Sequence, residues 1–274
     1  MEEHHRQYCN TTKAVYFPKA VSHIVSTISH RAVQTQLPKK VFSIKVSNPG
    51  DYHAQKGRMM KVTNLEARDL SEAFFKCCRA ALTDGYEYVI DSGSFEGARR
   101  KELDFVVVKI EKPGTRPLVP DVPQGVPAPS SIDYIEEYMS YLVTPDKQPH
   151  EIYTYGEYLA PQVEAVIQRY KKDGPECNQL CMMVGGLESM DQEHPPCLRL
   201  IDTRIRYGKL HFVIYFRSWD LWAGFPTNLG GLQLLKEHMA QEIGVADGEM
   251  ICVSKGLHLY DHSWELAEQV ARLD

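Results

Sequence analysis

The stretch PPCLRLIDTRIRYGKLHFVIYFRS, residues 195–218, constrains the fold of this chain more than any other. Its apolar-rich run 198–205 predicts a β-strand, and the run 209–218 predicts a second one. The segment YGK, residues 207–209, lies where they meet and favours a hairpin, so the chain is expected to contain a sheet. Two prolines stiffen the backbone just before Cys197, which places a thiol at the entrance to the first strand.

Cys197 has two interpretations. A free cysteine is often buried as a small hydrophobe, and an isolated one is most simply explained that way. A nucleophilic thiol instead needs cationic groups or a hydrogen-bonding partner that favour the thiolate. Arginines on the two predicted strands can supply that charge: Arg199, Arg204, Arg206 and Arg217. The rigid placement of the thiol favours the nucleophile.

Helix and strand patterns alternate through the rest of the chain. Predicted helices cover 70–85, 131–142, 160–174 and 228–244, with stops at Gly85 and Gly174 and a cap at Ser130 or Ser131. Further strands are predicted within 39–53, 102–117 and 248–254, and a stiff proline-rich loop within 118–131. This mixture predicts an α+β fold of the layered α/β type. Residues 67–274 would form one domain, after an N-terminal extension, 1–66, with short strands.

Composition narrows the class of protein. A chain of 274 residues with 43% hydrophobic content can bury a full core. A net charge of −5 argues against a polybasic nucleic-acid binder, and no run of 18 apolar residues predicts a membrane span. The opening MEEHHRQYCN does not read as a secretory signal. Seven scattered cysteines are typical of a reduced, cytoplasmic protein.

Two later motifs carry candidate binding chemistry. FRSWD places Arg217 beside Ser218, and a guanidinium next to a hydroxyl suits an anion. GFPTN puts Asn228 at the predicted start of a helix. The simple interpretation of Asn228 is a helix N-cap. Its amide also offers a donor and an acceptor together, as the edge of a pyrimidine requires.

The stretch KGLHLYDHSW places His258 and Tyr260 at alternate positions of a predicted strand, so both point to the same side. In chain order, PPC, RSWD, GFPTN and HLY resemble the thymidylate synthase family, most closely its shorter, archaeal-type branch. The resemblance is strongest over 150–264 and reaches back to about residue 70. It implies the family's fold, a mixed sheet flanked by helices, and a homodimer formed sheet to sheet.

The resemblance also implies a role for each matched residue. Cys197 resembles the nucleophile that adds to C6 of a pyrimidine, so that C5 can attack the one-carbon unit of 5,10-methylenetetrahydrofolate. The remaining matches are binding residues: Arg217 and Ser218 for the 5′-phosphate, Asp220 and Gly224 for the folate, Asn228 for the base, and His258 and Tyr260 for the sugar 3′-hydroxyl. Folate is a co-substrate here and no metal is implied, since Cys177 and Cys181 lack a second pair at ligand spacing.

Upstream segments extend the resemblance. IEEYMSYL resembles the helix that bears the general-base glutamate, and its register favours Glu137 over Glu136. YTYGEYL implies that Tyr155 lies near the catalytic water network. EGARRKELDF resembles the mobile phosphate-binding loop, so Arg99 or Arg100 would clamp the phosphate. Without the resemblance, such charged runs are usually solvated surface.

Three departures from the family pattern leave the product open. Asn178 and Gln179 replace an arginine pair that the family donates to its partner's phosphate, and Trp219 stands where many bacterial members carry Cys. Fourteen residues follow Tyr260, fewer than in the closing tail of bacterial members. Water exclusion decides whether hydride or water completes the reaction.

The sequence therefore predicts methylation of dUMP to dTMP. The alternative is a pyrimidine nucleotide 5-hydroxymethylase that acts on dUMP, dCMP or CMP with the same folate. A third possibility, from another class, is a homologue without catalysis that binds nucleotide or RNA. The partners expected are a pyrimidine nucleoside monophosphate, folate and a second copy of the chain, with no membrane or nucleic acid.

Overall fold

The computed structural model describes residues 59–91, 95–147 and 153–272. All of them belong to one compact unit that begins at residue 50. Most of the predicted extension lies outside the described residues, as does the strand predicted within 39–53. The predicted boundary between the extension and the domain stays a prediction.

The described elements are ten strands and five α-helices, interspersed along the chain. In chain order they are β1 (Val62–Ala67), α1 (Leu70–Asp84), β2 (Tyr86–Val89), β3 (Arg99–Glu102), β4 (Phe105–Ile110), α2 (Ile132–Val143), α3 (Gly156–Asp173), β5 (Cys181–Met183), β6 (Leu198–Arg206), β7 (Lys209–Phe216), β8 (Trp219–Asp220), α4 (Gly224–Ile243), β9 (Ala246–Ser254), β10 (Leu257–Tyr260) and α5 (Trp264–Val270). Within the described ranges this is a mixed α+β fold with sheets flanked by helices, as the sequence predicts.

The larger sheet is mixed and has the strand order β1-β4-β9-β7-β6-β5. Strand β1 is parallel to β4, and β7 is parallel to β9, while the other neighbours are antiparallel. The predicted hairpin is confirmed: β6 and β7 pair with Ile201 opposite Ile214. Tyr207 and Gly208 form its turn with φ values of 53° and 72°, the left-handed conformation that a tight two-residue hairpin turn needs.

The two faces of this sheet differ in burial. On β7 every second side chain is fully buried beneath helices: Leu210, Phe212, Ile214 and Phe216. Helix α4 packs against both β7 and β9 on the covered side. The opposite face carries half-buried apolar side chains, which include Val107, Val213, Tyr215, Ile251 and Val253. The hydrophobic effect fixes the strand register, because a slip by one residue would exchange the two faces.

Helix α4 begins earlier than its sequence pattern predicts. The carboxylate of Asp220 accepts the backbone N–H groups of Trp222, Ala223 and Gly224 at 3.1, 3.3 and 3.3 Å. These donors would otherwise be unsatisfied, so the helix starts at Gly224. Asn228 lies in the second turn, and its interpretation as an N-cap is wrong.

Helix α2 crosses α4 at two glycines. A Cβ on Gly231 would lie 2.6 Å from Cδ1 of Tyr138, and one on Gly230 would lie 2.5 Å from Cδ1 of Ile135. The absence of side chains there lets α2 approach closely and places the Tyr138 ring on α4. Ser131 caps α2, since its hydroxyl accepts the N–H of Tyr134 at 3.2 Å.

The smaller sheet has the order β2-β3-β10-β8. Its register places Arg100 opposite Tyr260 and Glu102 opposite His258. The parallel pair of β10 and β8 sets His258 beside Asp220. Side chains from three separate strands are thereby brought together in one small region.

Within the described ranges, none of the helices combines the length and the apolar composition of a membrane span. No group of three or more His, Cys, Asp or Glu side chains there is arranged to hold a metal ion.

Candidate active site

Cys197 lies at the entrance to β6 and is partly buried. Its carbonyl oxygen accepts the backbone N–H of Arg217 at 2.9 Å, which closes the hairpin ladder. The Arg217 side chain turns back to the two prolines, donating from Nε to Pro196 O at 3.0 Å and from Nη2 to Pro195 O at 2.5 Å. The proline pair therefore holds a guanidinium beside the thiol, in addition to stiffening the chain.

Two opposing effects set the pKa of the Cys197 thiol. Burial raises the pKa of Cys197, while the positive charges of Arg217 and Arg100 pull that pKa down. Burial is the larger effect, so the unliganded protein holds a thiol rather than a thiolate at neutral pH. The two guanidiniums stabilise the thiolate when it forms.

A cluster of tyrosines surrounds Cys197. Tyr155 accepts the backbone N–H of Leu198 at 3.3 Å, so it touches the strand directly after the cysteine. The ring centroids of Tyr138, Tyr141 and Tyr153 lie 6.4, 5.4 and 5.6 Å from that of Tyr155. Burial raises the pKa of both Tyr138 and Tyr155 well above the usual value. The cluster therefore presents neutral hydroxyls.

Of the tyrosines in this cluster, only Tyr155 was predicted from the sequence. A usable signal was present: Tyr138 and Tyr141 are three residues apart on α2, and residues that far apart share a helix face. Tyr138 matters most, because Cys197 and Asn228 both affect its pKa and so both lie near its hydroxyl. That hydroxyl is buried and has no hydrogen-bond partner among the described residues.

Arg100 is fixed by three side chains of the smaller sheet. Its Nη1 donates to Tyr88 Oη and Glu102 Oε2, both at 3.1 Å, and its Nη2 donates to Tyr260 Oη at 3.0 Å. The charge of Arg100 lowers the pKa of Cys197, so the guanidinium lies close to the thiol. Tyr88 and Glu102 were not singled out from the sequence.

The neighbouring Arg99 faces elsewhere. Its guanidinium pairs with Glu87 and lies over the Trp264 ring, 5.2 Å from the centroid. Its side chain is more than half exposed, against 17% for Arg100. Of the two arginines proposed for the phosphate, Arg100 and not Arg99 is among the groups that lower the pKa of Cys197.

His258 is almost fully buried and neutral. Its Nδ1 donates to the carbonyl oxygen of Gly256 at 2.8 Å, which assigns the proton to Nδ1 and leaves a lone pair on Nε2. Burial, together with the charge of Arg100, lowers the pKa of His258 to about 3. The buried Nε2 has no partner among the described residues. Nε2 can therefore accept a hydrogen bond from a donor such as a hydroxyl group.

Asn228 faces this region from α4. Its Oδ1 accepts the indole N–H of Trp219 at 2.9 Å. Gly224 lies between Asn228 and Asp220, because a Cβ at Gly224 would be 3.4 Å from Asp220 Cβ and 3.6 Å from Asn228 Oδ1. Burial raises the pKa of Asp220, and the backbone N–H groups that it accepts oppose that rise.

Two predicted residues take less part in these contacts. Glu137 is exposed on α2, and it is not among the groups that affect the pKa of Cys197. Its role as general base stays a prediction. Ser218 is half-buried, and it follows Arg217 directly in the sequence.

Comparison with known proteins agrees with this arrangement. Residues 146–274 match the family model of thymidylate synthase. An archaeal protein from Methanosarcina acetivorans named "Putative thymidylate synthase" is 29% identical over 216 residues, which cover 76% of this chain and 94% of that protein. Proteins of the same name from Methanosarcina mazei and Methanococcoides burtonii are 28% and 27% identical, covering 76% and 79% of this chain and 94% and 95% of their own.

Proposed function

Because this chain belongs to the thymidylate synthase family of one-carbon transferases, we propose that it converts dUMP to dTMP with 5,10-methylenetetrahydrofolate. One observation carries the proposal. The positive charges of Arg217 and Arg100 both act on the Cys197 thiol, Asn228 and Cys197 both act on Tyr138, and Arg100 also acts on the neutral His258. A nucleophile, a phosphate site and polar groups for base and sugar are thereby combined.

Phosphate binding follows from the two arginines. Arg217 uses two N–H groups on the proline carbonyls, and its remaining donors are available to an anion. Arg100 is fixed by Tyr88, Glu102 and Tyr260, so it reaches the thiol side with little loss of side-chain entropy. Ser218 adds a hydroxyl next to Arg217.

Sugar binding follows from the orphaned acceptor on His258. A sugar hydroxyl that donates to Nε2 would satisfy this buried atom, which otherwise costs about 1–3 kcal/mol. Tyr260 accepts from Arg100, and its own hydroxyl proton remains for the sugar oxygen. The T-shaped contact of the two rings, with centroids 4.9 Å apart, keeps both groups directed to one place.

The chemical step begins at Cys197. Its thiolate forms a bond to C6 of the pyrimidine, and the electron pair moves through C5 toward the oxygen at C4. Asn228 donates a hydrogen bond to that oxygen and so stabilises the developing charge. The electron-rich C5 can then form the new carbon–carbon bond and lose its proton. The electron pair left by that proton would break the bond between the new carbon and the folate nitrogen. Hydride addition to that carbon would then return an electron pair to C5, which expels Cys197 as a thiolate as C6 and C5 regain their double bond.

The folate, when bound, supplies the one-carbon unit and the hydride that completes the methyl group. The residues near Gly224 fit such a ligand. Asp220 accepts three backbone N–H groups, and a carboxylate has about four acceptor sites, so it can take a further donor from a pterin. The missing side chain of Gly224 leaves room beside Asp220 for a flat ring.

A homodimer is also part of the proposal. The open face of the larger sheet carries half-buried apolar side chains, among them Tyr215 between Leu200 and Val253 on the neighbouring strands. Burying this face against a second copy would remove apolar surface from water. A cytoplasmic location agrees with the free cysteines among the described residues.

The product identifies the reaction. Purified protein is incubated with dUMP and 5,10-methylenetetrahydrofolate, and the nucleotide product is identified by mass. We expect dTMP and dihydrofolate from the wild type and no product from Cys197→Ser. A hydroxymethyl nucleotide together with tetrahydrofolate would contradict the synthase and assign the hydroxymethylase instead.

A further inference from the structure

Trp219 has a single fixed position in this structure. Its ring is 2% exposed and stacks flat on Phe216, with centroids 4.2 Å apart and planes at 8°. The ring of Phe225 packs on the Trp219 ring with centroids 4.6 Å apart. The backbone N–H of Trp219 donates to Gly256 O at 2.8 Å. The only polar side-chain atom of Trp219, Nε1, is therefore aimed in one direction, at Asn228.

This contact fixes the orientation of the Asn228 amide. An indole N–H is a donor only, so it requires the oxygen of the amide, and the 2.9 Å bond joins Nε1 to Oδ1. If the amide turned over, its NH₂ group would face the indole N–H and a buried donor would be left unsatisfied. The NH₂ group of Asn228 is thereby directed away from Trp219.

The other side of the amide is the reacting region. Tyr138 lies there, and Asn228 lowers its pKa as a neighbouring N–H donor does, although burial keeps that pKa raised. Cys197 also affects Tyr138, so the hydroxyl lies near both the thiol and the amide. The buried Tyr138 hydroxyl has no hydrogen-bond partner among the described residues. The Asn228 NH₂ group is thus near this hydroxyl without making a hydrogen bond of normal geometry to it, and a base placed over Cys197 would meet both groups.

Uracil and cytosine require opposite amide orientations. Uracil presents an acceptor at C4 and a donor at N3, so it needs the NH₂ group toward C4 and the lone pair of the amide oxygen that Trp219 leaves toward N3. Cytosine presents a donor at C4 and an acceptor at N3, and it needs the amide turned over. An unanchored asparagine can turn and accept either base.

We propose that Trp219 is a positioning residue that sets base selectivity by holding the Asn228 amide in the orientation that uracil requires. The site then takes a pyrimidine nucleotide with a carbonyl oxygen at C4 and rejects its 4-amino counterpart. This inference rests on the proposed pyrimidine nucleotide site. It holds whether hydride or water completes the reaction.

The test compares the dissociation constants of dUMP and dCMP by isothermal titration calorimetry. Wild-type protein should bind dUMP more tightly than dCMP. Trp219→Phe should reduce the ratio of the two dissociation constants about tenfold, because turning the Asn228 amide would no longer leave a buried indole N–H without an acceptor. If Trp219 had only a structural role, Trp219→Phe would weaken the binding of both nucleotides alike and leave the ratio of their dissociation constants unchanged. An unchanged ratio in Trp219→Phe overturns the inference.

Two further variants make the result specific. Trp222→Phe changes a tryptophan of the same loop whose ring packs on Phe74, and it should leave the ratio unchanged. In an Asn228→Ala background, Trp219→Phe should have no effect on the ratio, because Trp219 acts through Asn228. An effect of equal size in that background would contradict the proposed route.

The outcomes separate this inference from the proposed function. If Trp219→Phe fails to fold, Asn228→Asp provides the test with Trp219 in place. Its second carboxylate oxygen should favour dCMP, and a preserved dUMP preference overturns the inference. Selective dUMP binding with a hydroxymethyl product overturns the synthase alone. Production of dTMP with an unchanged ratio in Trp219→Phe overturns the role of Trp219 alone, and binding of neither nucleotide overturns both.

Discussion

The side chain of Arg217 donates to the carbonyl oxygen of Pro196 at 3.0 Å, and this contact ties the guanidinium to the residue just before Cys197. The backbone N–H of Arg217 binds Cys197 O as well, so both ends of the residue are fixed at the same point. An arginine held by its own strand and by the preceding loop is pre-organised for charge stabilisation.

Arg217→Ala should make Cys197 less reactive. Arg217 is the largest effect that lowers the pKa of this thiol, so its loss lets burial raise the pKa further. The rate of iodoacetamide alkylation, measured against pH, should reach its midpoint at higher pH than in the wild type. Arg217→Lys should lie between the two, since it keeps the charge but lacks the planar guanidinium that holds Arg217 on the two carbonyls. Arg206→Ala is the matched control, because Arg206 pairs with Glu176 at the far end of β6. An unmoved midpoint in Arg217→Ala would refute the electrostatic role.

Glu137 can be tested against its neighbour. If Glu137 is the general base, Glu137→Gln should lower kcat by roughly 10²–10⁴-fold, the usual contribution of a positioned proton-transfer group. Glu136→Gln is a matched control, since both residues are exposed on the same turn of α2. Release of tritium from C5 of labelled dUMP measures the proton step directly. Equal tritium release from the two variants would assign proton transfer to another group.

His258 should make unfolding depend on pH. The folded-state pKa of His258 is lowered to about 3, below the 6.5 of an ordinary histidine. Between these values the unfolded chain binds one more proton than the folded chain, so the free energy of unfolding falls as pH falls from about 6.5 to about 3. His258→Gln should reduce this slope by up to about 1.4 kcal/mol per pH unit. Urea unfolding from pH 4.5 to 6.5 measures it.

The control for that experiment is His238→Gln, an exposed position on α4. It should leave the slope as in the wild type. A slope that is the same in His258→Gln and the wild type would mean that His258 is protonated in the folded protein.

Val253→Arg should disrupt the proposed homodimer. Val253 lies between Val107 and Tyr215 on the open face of the larger sheet, where a guanidinium would be buried without a partner. Analytical ultracentrifugation should show a dimer for the wild type and a monomer for the variant. Val89→Arg, at an exposed position of the smaller sheet, should remain dimeric. A wild-type monomer would contradict the proposal.

Much of the local structure was predictable because it depends on neighbouring residues. Alternating burial defines β7, and the turn at Tyr207 and Gly208 follows from a short polar segment between apolar runs. Ser131 was one of two predicted caps for α2, and the structure selects it because its hydroxyl reaches Tyr134 N. Ser130 instead bonds to Thr227 at 2.8 Å, a long-range contact that no local pattern shows.

The start of α4 shows where local patterns fail. The residues after Gly224 include Pro226 and two glycines, which weaken the helical pattern, and the predicted start was Asn228. Asp220, from the preceding strand, supplies the missing acceptors and extends the helix backward. This moves Asn228 into the second turn, where its side chain reaches Trp219.

By itself the sequence determined which chemical groups this protein carries and much of the local structure that holds them. A thiol after two prolines, an arginine at the end of the next strand and a His-Leu-Tyr strand are covalent facts with local consequences. Only the tertiary structure decided that the charge of Arg100 rather than Arg99 acts on Cys197, that Tyr138 lies near the thiol, and that Glu102 pairs with Arg100. The physical reason is that burial and long-range pairing depend on elements far apart in the chain. The same packing sets the pKa of His258 and the orientation of the Asn228 amide.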